Sequence, residues 1–362
     1  MLSRLLRRFA QSSSALRSTQ RSAAQRSAAP DASTAPQPAP FMPSSAAAPA
    51  DAGPASALRA PEPDDRALHA VLRGAVDAAC AEMSDAIPAG GAAGDARLVL
   101  ADLMGDAQAL IRQPPAAAQE ALAAVRDPDV DLLDLVRVFE KDPLLAQALL
   151  RRANASWYAT STTPCVSIRD GVRRVGLEGV HGVLVAAMVE GMLCRPGGAY
   201  EAMVQQVWTH MVRTAPLARR LAPCFDLPVD QAFTLALLHD VGKLVVFDRL
   251  AALRVQQRRT LQLGTPLLGE LLRRVHEPLG GLAVLRWELG AAAARAVGTH
   301  HRAGVRYEGE RWSQVLCLAE RADLAQVRGV ELDVPTVWLE AGLSGGRDAA
   351  ARAMAELAAA AA

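Results

Sequence analysis

A chain of 362 residues that is 51% hydrophobic can bury a sizeable core as one large or two modest domains, and 4% aromatic content with abundant Ala and Leu favours packed helices over sheets. Its five cysteines (Cys80, Cys165, Cys194, Cys224, Cys317) have no paired spacing, which argues against a disulfide frame or zinc ribbon and fits reduced thiols in a cytoplasmic protein. The net charge of +1 hides a division, since residues 1–60 hold seven Arg against two Asp and the remainder 32 basic against 36 acidic residues; the body is therefore not a basic nucleic-acid binder.

Residues 1–65 are rich in Ser, Ala, Pro and Gln and lack periodic apolar spacing beyond the first ten, so they are expected to form a disordered tail. Leu2, Leu5, Leu6 and Phe9 fall at helical spacing opposite Arg4, Arg7 and Arg8. Residues 2–9 therefore read either as a membrane-surface or transit-peptide helix or as a solvated basic tail. From about Arg66 the expectation is helix after helix, an all-α body with a leading helix and linker over 66–98. Asp142-Pro143 starts one helix, with Asp as N-cap and Pro in the first turn. A second helix runs from Val204 to Ala222 with a potential kink at Pro216, and Asp230 opens the helix carrying Phe233, Leu237 and Leu238. Further helices cover Leu279 to Trp287 and Trp312 to Val327, and residues 329–362 form short helices and an Ala-rich end. The break at Arg195-Pro196-Gly197-Gly198 divides the body into a half over 99–198 and a half over 199–328. The apolar run Val180 to Leu193 is too short for a membrane span.

The chemistry concentrates at His239-Asp240-Val241-Gly242-Lys243, directly after the apolar run Phe233 to Leu238. Only Lys141 and Lys243 among the 39 basic residues are lysine, so a lysine beside a His-Asp pair points to a metal or phosphate at that place. Lys243 lies four residues after His239 and three after Asp240, which on a helix puts all three on one side. His210, His276, His300 and His301 lie in helical contexts roughly one helical hairpin apart, and a bundle can bring such positions together. With Asp240 and Asp323 they make a donor set of imidazole and carboxylate suited to Fe, Mn or Zn. A carboxylate between histidines can serve a site of up to two ions. His69 and His181 fit no such pattern.

The order His210, His239-Asp240, His276, His300-His301, Asp323 resembles the HD superfamily of metal-dependent phosphohydrolases. The segments Trp208-Thr209-His210, Ala236 to Lys243, His276-Glu277-Pro278-Leu279-Gly280 and Leu285 to Leu289 narrow the resemblance to the HDOD family, the HD-related output domains of bacterial signalling proteins. Asp127-Pro128-Asp129, Glu140 to Leu144, Arg152-Ala153-Asn154 and Val175 to Glu178 match the helical half that precedes the HD half, so the resemblance spans roughly 100–325. It implies a regulatory module acting through a protein partner, with an HD pocket that takes a divalent metal or a phosphorylated ligand. The alternative it implies is an active phosphohydrolase, in which His210, His239, Asp240, His276, His300, His301 and Asp323 hold the metal and Lys243 steadies the phosphate. Arg302 to Gly309 lacks the Gly-Tyr-Pro signature of cyclic-di-GMP phosphodiesterases, which argues against that activity. Many HDOD members have lost ligand positions; here each is filled. Ile168 to Val180 loosely resembles a helix-turn-helix, but its second piece continues as core-type residues rather than a basic reading face, which argues against DNA binding.

Overall fold

The computed structural model describes residues 64–87, 93–105, 110–127, 129–155, 158, 164–194, 200–302, 311–343 and 346–361. The expectations for the tail over 1–63, for residues 2–9, for the break at 195–198 and for residues 303–310 lie outside the described residues. Every regular element among those described is helical. In chain order they are α1 (Asp64–Ala86), α2 (Ala93–Leu103), α3 (Ala116–Arg126), α4 (Leu132–Glu140), α5 (Pro143–Ala153), α6 (Ile168–Leu193) and α7 (Glu201–Leu221). Then come α8 (Val229–Ala236), α9 (Val241–Gln257), α10 (Thr265–Arg286), α11 (Ala291–Gly298), α12 (Arg311–Arg328), α13 (Val334–Glu340) and α14 (Gly346–Ala361).

Local chemistry sets the ends of these helices. Asp131 accepts from Leu133 N at 3.1 Å to cap α4, and Asp142 accepts from Leu145 N before Pro143 starts α5. Ser167 caps α6 through Asp170 N. Helix α6 bends at Gly176, whose φ of 72° lies in the left-handed region that glycine enters without a Cβ penalty. The piece after that bend buries Val180, Val183, Leu184, Val185, Met188 and Val189 in the core, so it offers no face to a DNA groove. By length and composition α6 is apolar enough to cross a membrane, but 61% of its most apolar window is buried within the fold.

Helix α10 is far longer than the expected Leu279 to Trp287. It runs through His276 and Pro278 and packs against α1, α9 and α11. Helix α7 continues through Pro216 and packs on α8, α12 and α14. One hydrophobic core extends from Leu72 to Ala353. Two aromatic-polar ties reach across the chain: Tyr158 and Arg219 both meet Asp230, while the Arg152 guanidinium lies 3.4 Å over the Phe233 ring. The leading helices are fixed as well. Arg249 grips Asp102 through two N–H groups at 2.9 and 2.7 Å, Arg259 pairs with Asp95, and Arg274 reaches Glu82 at 2.7 Å.

Candidate metal centre

Helix α8 stops at Ala236, so His239 and Asp240 occupy a turn before α9 rather than the helix expected to carry them with Lys243. The stop leaves the Ala236 carbonyl available, and His239 Nδ1 donates to it at 2.7 Å. Asp240 takes the N-cap position of α9, yet its side chain makes no capping bond. Its carboxylate turns inward instead. Lys243, one turn on, meets Asp240 Oδ2 at 2.6 Å.

Gly242 permits this approach. A Cβ there would stand 1.9 Å from the His276 carbonyl oxygen and 2.7 Å from Gly280 N, so α9 and α10 touch backbone to backbone where Asp240 faces His276.

Three imidazoles are oriented in the same way. His239, His276 and His300 direct Nδ1 to the carbonyls of Ala236, Leu272 and Val297 at 2.7, 2.7 and 2.8 Å. A carbonyl only accepts, so Nδ1 carries the proton and Nε2 keeps its lone pair. Those lone pairs point at Asp240: His276 and His300 Nε2 lie 3.6 and 3.9 Å from Oδ1, and His239 Nε2 lies 3.7 Å from Oδ2. His210 Nδ1 meets the carboxylate of Asp323 at 2.6 Å, which by the same logic turns its Nε2 inward, 3.7 Å from Asp240 Oδ2. His210 Nε2 and His239 Nε2 then stand 3.2 Å apart. Two lone pairs cannot share that distance without a proton or a cation near both.

The structure thus brings His210, His239, Asp240, His276, His300 and His301 together. They fall into two groups that can hold an ion, Asp240 with His276, His300 and His301, and His210 with His239 and Glu320. Glu320 carried no signal in the sequence. It lies three residues before Asp323 on α12, with Oε1 4.0 Å from His210 Nε2 and Oε2 3.3 Å from His301 Nδ1. Asp323 stands outside both groups, its two oxygens taken by His210 and by Arg213 at 2.7 and 3.0 Å. Trp287 donates its indole N–H to Arg112 O at 2.8 Å.

The donors present fit a divalent cation. His239, Asp240, His276 and His300 are each no more than 2% exposed. Asp240 Oδ1, His276 Nε2 and His300 Nε2 are buried and have no hydrogen-bond partner, a costly arrangement for acceptors that no donor serves. Electrostatics agree. Burial pushes His239 down to about 4 and His276 to about 3, so both imidazoles are neutral at physiological pH. Burial acts upward on Asp240, but Lys243 and the surrounding histidines outweigh it and hold the carboxyl well below its ordinary value. Glu320 is pushed up to about 7, first by burial and then by the charge of Asp240. A cation would reverse that last effect.

A family model described as the HDOD domain matches residues 111–303, more than half of the chain. The chain belongs to the HDOD family. Solved structures agree with the HDOD fold. A protein from Shewanella amazonensis SB2B, proposed to be a metal-dependent phosphohydrolase, superposes with a TM-score of 0.55 at 17% identity, covering 73% of this chain and 98% of that one. An HDOD domain protein of unknown function from Geobacter sulfurreducens gives 0.51 at 20% identity, covering 69% and 89%. A protein from Marinobacter aquaeolei VT8, proposed to act in signal transduction, gives 0.52 at 20% identity, covering 80% and 63%. A protein of Treponema pallidum (strain Nichols), itself uncharacterised, is 25% identical over 199 residues; the HDOD chain spans 37% of that relative's length. At these identities the likeness to solved structures concerns the fold.

Proposed function

We propose that this HDOD protein is a regulatory signalling module that binds divalent metal, up to two ions, in its HD pocket and acts through a protein partner. The observation that carries the metal is the set of inward-facing lone pairs on His210, His239, His276 and His300 around Asp240, three of whose buried atoms have no hydrogen-bond partner. Asp240 would serve both groups, Oδ1 toward His276 and His300 and Oδ2 toward His210 and His239. Glu320 would complete the second group, with Asp323 holding His210 from behind. Fe, Mn and Zn suit such donors. The signalling role draws on the family and on a fold neighbour proposed to act in signal transduction.

A second reading, phosphoester hydrolysis, is favoured by the edge of the site. Lys243 keeps 22% of its side chain exposed and His301 40%, so a phosphate could reach the centre there. A bound divalent ion supplies Lewis-acid polarisation and a nucleophile at neutral pH. Lys243 would then steady a phosphate oxygen, and the buried histidines, lacking ring protons on Nε2, would orient rather than donate.

One comparison tests both. Elemental analysis of protein purified without chelator should find stoichiometric metal in the native chain and little in Asp240→Asn. A phosphoester assay with Mn²⁺ or Fe²⁺, using p-nitrophenyl phosphate, should show no turnover above the variant. Equal metal in both proteins would remove the metal site; turnover abolished by the variant would replace the regulatory reading with the hydrolase.

A further inference from the structure

Five imidazoles surround the two ion groups, and four of them are held from behind. His239, His276 and His300 bond a backbone carbonyl through Nδ1, and His210 bonds Asp323 through the same atom. His301 differs. Its Nδ1 lies 3.3 Å from Glu320 Oε2, an oxygen of the second group that an ion there would claim, and its side chain is 40% exposed. The ring nevertheless packs against its neighbours, with centroids 4.3 Å from His300 and 4.9 Å from His276. Something other than its own nitrogens has to fix it there.

The backbone at His301 supplies that support. Helix α11 stops at Gly298, and His300–Arg302 form one short 3₁₀ turn. The first N–H groups of a new helical turn have no carbonyl of that turn to bond. A side chain serves the His301 N–H instead, which donates to Glu277 Oε1 at 2.9 Å. Glu277 directly follows His276 on α10, and successive helical residues diverge by about 100°. His276 therefore faces Asp240 while Glu277 faces the turn after α11. Two glycines bring that turn within reach. A Cβ on Gly280 would meet Val297 Cγ1 at 2.9 Å, and one on Gly281 would meet Ala294 O at 2.8 Å, so α10 and α11 press together one turn beyond Glu277.

Glu277 is only 6% exposed, yet it belongs to neither ion group. Burying a carboxylate is costly unless hydrogen bonds serve it, and a bond from a backbone N–H to a charged oxygen is of the stronger kind. We propose, on the basis of the metal reading above, that Glu277 is a positioning residue for His301. By holding the His301 N–H it seats the His300–Arg302 turn against α10 and keeps the His301 ring in the first ion group. One dipeptide then serves the site twice, His276 as a donor and Glu277 as the support of another donor.

The probe is Co²⁺, whose visible absorption depends on the donors that hold it, titrated into chelator-treated full-length protein. His301→Ala identifies the binding step that depends on this ring. Glu277→Asp keeps the charge but is too short to reach the His301 N–H. It should weaken that step by about 10- to 100-fold and give the spectrum of His301→Ala. Glu277→Gln loses the charge but keeps the reach, and should retain native affinity and the native spectrum. Glu277→Asp combined with His301→Ala should bind no more weakly than His301→Ala alone, since the support is void once its ring is gone. Native affinity in Glu277→Asp or in His301→Ala, additive losses in the combined variant, or a loss in Glu277→Gln as large as in Glu277→Asp overturns the proposal. A native chain that binds no Co²⁺ overturns it together with the metal reading. If Glu277→Asp does not fold, Glu277→Ala takes its place in the same comparison and the same cycle.

Discussion

Asp323 and Glu320 sit three residues apart on α12 and reach opposite nitrogens of His210, Asp323 being held from the flank by Arg213, three residues after His210 on α7. His210 and Arg213 draw Asp323 below its ordinary value despite its burial, so it stays ionised and fixes the His210 ring with Nε2 inward. Such a partner behind a metal-binding histidine governs ligand orientation. Asp323→Asn should therefore lower metal affinity by about 10- to 100-fold without abolishing binding. A competition titration with a fluorescent chelator measures it, and a complete loss of metal would instead make Asp323 a direct ligand. The residues His210, His239, Asp240, His276, His300 and His301 were legible from residue type and order alone. Glu320 was not, because sequence cannot decide which of two carboxylates on one helix face an arginine on another helix will take. Glu277 was legible only as the neighbour of His276, and only the fold reveals that its carboxylate meets the His301 N–H.

At the scale of elements, the crossing of α9 and α10 depends on one missing side chain. Gly242→Ala places a methyl group 1.9 Å from the His276 carbonyl, and backbone on both sides cannot yield as a flexible side chain would. Overpacking of this kind costs about 1–3 kcal/mol, and separating the helices would also draw Asp240 from His276. The expected outcome is a lower urea midpoint together with weakened metal binding; an unchanged midpoint would mean that the two helices are not held in contact. The sequence marked α5 from Asp142-Pro143 correctly because the cap and the proline act locally. It misplaced the end of α8, where Leu237 and Leu238 continue an apolar pattern although the chain has turned so that His239 can bond the last carbonyl. It also underestimated α10, since Pro278 reads as a breaker while neighbouring helices hold the helix together around it.

Over the whole molecule, a cluster of buried neutral histidines makes stability a function of pH. His239, His276 and His181 have folded values of about 4, 3 and 4, all lowered chiefly by burial from an ordinary value of 6.5. Below 6.5 the unfolded chain binds more protons, so stability falls as pH drops from 6.5 toward those folded values. Glu320 acts oppositely: raised to about 7 from 4.5, it costs stability as pH climbs from 4.5 to 7. Three histidines outweigh one glutamate across the shared window. Chelator-treated protein should thus melt progressively earlier between pH 6.5 and 5, and Mn²⁺ should raise the melting temperature most near neutrality, where less of Glu320 must give up a proton for the ion to bind. A flat melting temperature over that range would mean that the histidines are solvated rather than enclosed.

The seat of Leu72 bears on how this protein can be dissected. Gly281 of α10 and Gly298 of α11 form a notch filled by the Leu72 side chain, and a Cβ at either glycine would meet it at 2.8 Å. Those helices carry His276 and lead into His300, while α12 supplies Glu320 and Asp323. Both α1 and α12 lie beyond the matched stretch 111–303. A fragment trimmed to that stretch would therefore open an apolar notch behind the first ion group and remove a donor from the second. The unit that carries the signature is smaller than the unit that builds the pocket.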